Sequence, residues 1–185
     1  MSTTALLVMD VQNGIVERVA DQADTLLARL QEAVGAARAA GLPVVFVRVA
    51  FREPPVEISP RNLGFSALTA RGGMGVDDPA TQVHPAVAPQ PGEAVVVKKR
   101  VSAFAGSDLD VVLRSVGADS LVLTGIATSG VVLSTLRQAA DLDYGLTVLV
   151  DACADADPEV HRVLTEKVFP RQAAVVTTAA WTGSL

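Results

Sequence analysis

The chain has 185 residues and a formal net charge of -5, a length that suits one α/β domain with a single core. Half of the residues are hydrophobic and 4% are aromatic, which excludes a disordered chain and describes an aliphatic interior. The local basic cluster, Lys98-Lys99-Arg100, is too small to neutralise a run of phosphates, so nucleic acid is excluded as a partner. The one cysteine, Cys153, excludes an internal disulfide and a thiolate cluster for zinc. No stretch approaches the roughly 18 apolar residues of a membrane span, and the chain starts on a strand rather than a leader. A soluble cytoplasmic protein without a membrane partner is the expectation.

In chain order, Thr4 to Asp10 is an apolar run ending on a carboxylate, the signature of a strand buried on both faces. Gln12-Asn13-Gly14 reads as a turn, and from Asp21 the residues Leu26, Leu27, Leu30, Val34 and Ala37 mark one face of a helix that Gly41 and Pro43 end. Leu42 to Val49 is a second strand. Residues 51–91 are rich in Pro and Gly, and a loop this long in a compact domain predicts a functional surface over the strand ends, with a short helix near Ser66 to Ala70. Glu93 to Lys98 is a third strand, followed by a helix capped by Ser107 or Asp108 with Leu109, Val112, Leu113 and Val116 as its buried stripe.

The segment from Ser120 to Asp155 reads strand, small-residue turn, helix, strand: Leu121 to Thr124, the break at Gly125, residues 126–130, a helical stripe through Leu142, then Leu146 to Val150. This is a βαβ crossover, and crossovers build parallel sheets. Pro158 opens a last long helix to about Val168, and Ala173 to Thr177 is the final strand before a tail with Trp181. The prediction is a single domain over 1–185, α/β, with helices on both faces of a mostly parallel sheet of about six strands.

Ligands of such sheets sit beyond the carboxyl ends of the strands. Asp10, Lys98 and the turn 126–130 all fall there, and their joint appearance at one rim makes a candidate site.

Three stretches, LLVMDVQN, KKRVSAFAGSDLDVVLR and GIATSGVVLSTLRQAADLDY, resemble the isochorismatase-like superfamily of cysteine hydrolases. The resemblance covers nearly the whole chain and implies a three-layer α/β/α, Rossmann-like fold. It also implies an Asp, Lys and Cys arrangement in which the carboxylate acts as general base, the lysine orients it and stabilises charge, and the cysteine attacks an amide or similar carbonyl. Carried onto this sequence, the aspartate is Asp10 and the lysine is Lys98, because Arg100 and Ser102-Ala103-Phe104 follow at the family's spacing; Lys99 becomes the solvent-side neighbour. Substrate-binding candidates near the first strands are Gln12, Arg48 and Phe51. Phe104, Ile126, Ala127 and Thr128 join them from the later motifs. A cis peptide between Ile126 and Ala127, turning N–H groups to the pocket as an oxyanion hole, is a further implication.

The departure lies at the nucleophile. The family pattern of Gly, Thr and Cys-Val lands on Gly125, Thr128 and Val131-Val132, so Val131 stands where a thiol is expected, and Cys153 reads as a packing residue. Ser129 and Thr128 lack a place for an attacking hydroxyl. Isochorismatases proper resemble this chain in lacking the cysteine and protonate a vinyl ether, but they carry Gly at the Val131 position and a tyrosine-containing turn where Ala127-Thr128-Ser129 stands. The expected function is a hydrolase acting on a small polar organic molecule through Asp10 and Lys98, without cofactor or metal. The alternative is a non-catalytic binding protein or partner subunit. Residues 48–83 hold no histidine for the metal-dependent branch, and His84 and His161 are read as surface residues. A homodimer or higher homo-oligomer is expected.

Overall fold

The computed structural model describes residues 3–185. In chain order the elements are β1 (Thr4–Met9), α1 (Asn13–Val16), α2 (Ala20–Ala39), β2 (Val44–Val49), α3 (Leu63–Thr69), β3 (Ala94–Lys98) and α4 (Leu109–Ser115). They continue with β4 (Ser120–Ile126), a π-helical turn (Thr128–Val132), α5 (Leu133–Asp141), β5 (Gly145–Ala154), α6 (Pro158–Val163), β6 (Ala174–Val176) and α7 (Thr178–Thr182). The strands form one six-stranded sheet in the order β3-β2-β1-β4-β5-β6, with every pairing parallel.

Strand geometry explains the three layers. Alternate side chains of β1 point to opposite faces. Ala5, Leu7 and Met9 join a core with Leu109, Leu113, Leu136 and Phe169, whereas Leu6 and Val8 join a core with Leu26, Leu30, Val34 and Trp181. Both cores are mainly aliphatic, and each fully buried Leu or Val contributes about 1.5–3 kcal/mol. The near-continuous hydrophobicity of β1 therefore follows from its position in the middle of the sheet.

The chain runs outward from β1 through β2 to β3, then returns to β4 on the other side of β1 and runs outward again. The order thus reverses between β1 and β4, which opens a crevice beyond their carboxyl ends. The two strands meet closely there. Met9 stands opposite Gly125, whose φ is 131°, and a Cβ on Gly125 would lie 1.9 Å from the Met9 carbonyl oxygen. Glycine is required by both the torsion and the contact.

Several local expectations need correction. Residues 13–16 form a helical turn rather than a plain turn, because Ile15 and Val16 N–H groups both close onto the Gln12 carbonyl. On α4 only Leu109 and Leu113 are buried, and Val116 is exposed because the helix ends at Ser115. Asp108 makes no side-chain cap; the Ser107 hydroxyl accepts from Leu109 N–H instead. The β5 strand extends through Asp151 and Cys153 to Ala154, so Cys153 lies inside the sheet. The α6 start is as its sequence dictates: Asp157 accepts from Glu159 N–H and Pro158 takes the first turn. Among the described residues no helix is long and apolar enough to cross a membrane.

Candidate active site

Asp10 is the first residue past β1. Its backbone adopts φ 55°, a left-handed conformation that costs a non-glycine residue about 1–2 kcal/mol. Its N–H still bonds the Val47 carbonyl, so the chain turns away only after this last sheet bond. Lys98 ends β3, two strands away, a span of about 10 Å at the usual interstrand spacing. A four-carbon stem crosses that distance, and the ammonium reaches Asp10 Oδ2 at 2.8 Å. It also donates to the Arg100 and Val101 carbonyls, each at 3.0 Å. The pair is buried: the side chains are 2% exposed for Lys98 and 8% for Asp10.

Among the described residues Asp10 Oδ1 has no hydrogen-bond partner. Burial pushes the carboxyl up to about 6, although the charge and hydrogen bond of Lys98 pull the other way. Removal from water penalises the anion more than the lysine rewards it. One carboxyl oxygen is therefore fixed by the ammonium and the other is free for a proton.

Asp10 and Lys98 lie at a cavity of about 290 Å³. That volume is at the small end of ligand pockets, which run from about 300 to 1,000 Å³. One wall is hydrocarbon from Ile15, Val19, Val49, Phe65, Leu68 and Val101. Another is the turn after β4, with Ile126, Ala127, Gly130 and Val131; Arg18 stands at the rim. The Ile126–Ala127 peptide is cis. In this turn Gly130 and Val132 N–H groups bond the Ala127 carbonyl, and Ser129 N–H donates to Asp155 Oδ2 at 2.7 Å, so those amides are already spent.

With the sheet order and the cavity in place, the comparison with known proteins is decisive. The sequence pattern defining the isochorismatase domain matches residues 4–180. The chain belongs to the isochorismatase family. It is 35% identical to the uncharacterized isochorismatase family protein YwoC of Bacillus subtilis (strain 168), over 91% of this chain and 86% of that protein. Ureidoacrylate amidohydrolase RutB of Stutzerimonas stutzeri (strain A1501) is 36% identical, over 85% of this chain and 72% of the relative. Among solved structures, an isochorismatase family protein from Desulfovibrio vulgaris subsp. vulgaris str. Hildenborough superposes with a TM-score of 0.89 at 27% identity, covering 100% of this chain and 98% of the other. N-carbamoylsarcosine amidase from Thermoplasma acidophilum gives 0.78 at 28% identity, covering 95% and 96%.

Within this isochorismatase-family fold, five of the positions singled out in the sequence line the cavity: Asp10, Lys98, Ile126, Ala127 and Val131. The remaining substrate-binding candidates do not line this cavity and have partners within the fold, although Gln12 lines the smaller cavity beside it. Gln12 is 1% exposed, and its amide joins Val49 N–H, the Val49 carbonyl and the Thr81 carbonyl, so it pins loop 51–91 to the end of β2. Arg48 donates to the Val76 carbonyl and to Thr81 in the same loop. Phe51 packs edge-on against Phe65, and Phe104 packs against Tyr144 inside the core.

Thr128 is fully buried, and its hydroxyl shares a 2.8 Å hydrogen bond with His161 Nδ1. Its partner base exists, but the hydroxyl does not line the cavity. His161 is half-buried, not a surface residue, and burial lowers its pKa while Asp155 opposes the shift. His84 is likewise partly covered, accepting from Ala86 N–H. Lys99 is not solvated either: it donates to the Ala50 carbonyl, approaches Glu57 at 3.7 Å and lies over the Phe51 ring. Among the described residues no cluster of three or more His, Cys, Asp or Glu side chains is arranged to hold a metal ion.

Ile15, Arg18 and Val19 were not singled out. They share one helical face at spacing i, i+3, i+4, a signal the sequence does carry. Phe65 and Leu68 stand one turn apart on the short α3 inside the Pro- and Gly-rich segment, and Val101 follows β3 in irregular chain, so no long periodic pattern announces them.

Proposed function

We propose that this protein hydrolyses an acid-labile bond in a small molecule with an apolar body, a vinyl ether being the leading class, by general-acid catalysis through Asp10. The observation that carries the reading is a buried carboxyl, with one oxygen unpartnered among the described residues and its pKa raised to about 6, in a residue that lines a largely apolar cavity. Protonated Asp10 gives its proton to the alkene carbon, and the ether oxygen stabilises the cation that forms. Water adds at the carbon bearing that oxygen, and the hemiketal breaks to a carbonyl compound and an alcohol, with a proton returning to Asp10. Lys98, fixed by two carbonyls, stabilises the aspartate generated in the first step. A general acid whose pKa lies near the working pH meets the requirement for this role.

Val131 takes the nucleophile's place in this reading, and it is 2% exposed hydrocarbon. The relatives named as an amidohydrolase and an amidase cleave amides, whereas a thiolate route has no sulfur at this cavity. The chain's one thiol, Cys153, is 5% exposed within β5, faces the Leu123 carbonyl at 3.8 Å and is pushed up to about 12 by burial. A thiol so placed is not ionised near neutral pH. Cys153→Ser should therefore leave kcat within about twofold while costing about 1–2 kcal/mol of stability; steady-state rates and urea unfolding on the same preparation check both.

The direct test is a turnover screen of small vinyl ethers and small amides, with Asp10→Asn as control. Turnover of a vinyl ether that the variant loses supports the reading. Turnover of amides alone overturns the acid-catalysis reading, and no turnover by a folded protein that binds these compounds favours a binding protein of the same fold.

A further inference from the structure

A second cavity, of about 160 Å³, adjoins the Asp10 cavity and shares Ile15, Arg18 and Leu68 with it. Its charged lining residues are Arg18 and Arg71, both exposed, and no carboxylate lines it. Most arginines of this acidic chain are engaged. Arg29, Arg38, Arg52, Arg114 and Arg162 pair with carboxylates, and Arg48 and Arg100 donate to carbonyl oxygens. Arg18 and Arg71 have neither kind of partner among the described residues.

The wall between the cavities is informative. In the larger cavity Lys98 is engaged by Asp10 and by the Arg100 and Val101 carbonyls, whereas Arg18 has no such partner among the described residues. Both arginines line the smaller cavity together with Gly72 and Gly73, whose lack of side chains leaves that wall open to a ligand. Two like charges at one small concavity repel, and an anion between them removes the repulsion and accepts their hydrogen bonds.

We propose that the smaller cavity is an anion subsite in which Arg18, assisted by Arg71, holds a carboxylate of the substrate while the apolar body extends past Ile15 and Leu68 to Asp10. Arg18 is then the specificity-determining residue: it selects acids over neutral molecules of the same shape. The steering also suits a protein whose net charge of -5 otherwise repels anions. This rests on the reading of the Asp10 cavity as the reaction site.

Calorimetric titration of the full chain with hexanoate and with hexanamide at neutral pH tests it. The expected result is a preference for the acid of about tenfold or more, carried by charge-assisted hydrogen bonds. Arg18→Gln should remove most of that preference and Arg71→Gln part of it, with hexanamide affinity unchanged in both. Equal affinity for acid and amide in the parent overturns the proposal. So does a preference that survives in the double variant, or the absence of carboxylate binding at millimolar concentration. If the preference depends on the arginines while the turnover screen finds no Asp10-dependent reaction, the subsite stands and the acid-catalysis reading falls.

Discussion

Asp10→Asn should lower kcat by about a hundredfold to ten-thousandfold, the usual range for loss of a positioned general acid, and leave a folded protein. The amide keeps the carboxyl's shape and still offers Lys98 an oxygen. The ammonium also retains the Arg100 and Val101 carbonyls, so it is not left stranded in the core. Complete removal of one partner from a buried pair costs about 3–5 kcal/mol, and the asparagine avoids most of that. Stability adds a second signature. Asp10's folded pKa is raised from 3.8 to about 6, so between those values the folded state binds more protons than the unfolded state. The carboxyl's contribution is then fully present below the unfolded value and is lost as pH rises through about 6. The variant should lack this part of the pH dependence, which urea titrations across the acid range would show.

Gly125→Ala should destabilise the protein by about 4 kcal/mol or more, an exceptional value for one methyl group. The added Cβ would meet the Met9 carbonyl oxygen at 1.9 Å and the Met9 carbonyl carbon at 2.8 Å. Both are backbone atoms of the central strand, so no side-chain rotation can relieve the contact. The φ of 131° is itself closed to an L side chain. Relief requires β1 and β4 to separate, breaking a ladder that pairs Thr4–Met9 with residues 120–125. Because Asp10 follows Met9 directly, any variant that folds should also be catalytically impaired. A midpoint of denaturant unfolding equal to the parent's would refute the close-packing account.

The sheet was readable because β1 through β4 are apolar runs whose lengths match strands, and because crossovers impose parallel pairing. Asp10 and Lys98 were readable for the same reason: each is the first ionisable residue after such a run. What sequence could not show is where a polar group's hydrogen bonds go. Gln12 and Arg48 look like ligand-binding groups beside strand ends, yet their partners are the Val49, Val76 and Thr81 backbone or hydroxyl groups, up to 69 residues away. Lys99 looks solvated by its place next to Lys98, but the loop carrying Glu57 folds over it. The path of residues 51–91 decides these cases, and it depends on long-range packing of Phe51 and Phe65 rather than on local propensity. β5 ran longer than expected because Asp151 interrupts the apolar pattern, although its carboxylate is satisfied by Thr178.

The central claim is that Asp10 acts as a proton donor in a site without a thiol. The pH dependence of kcat for any substrate found in the screen tests it most directly. The account predicts a rate that is highest on the acid side and falls about tenfold per unit as pH rises above about 6, following loss of the Asp10 proton. A rate that instead climbs through neutrality toward pH values where a thiol ionises would contradict it.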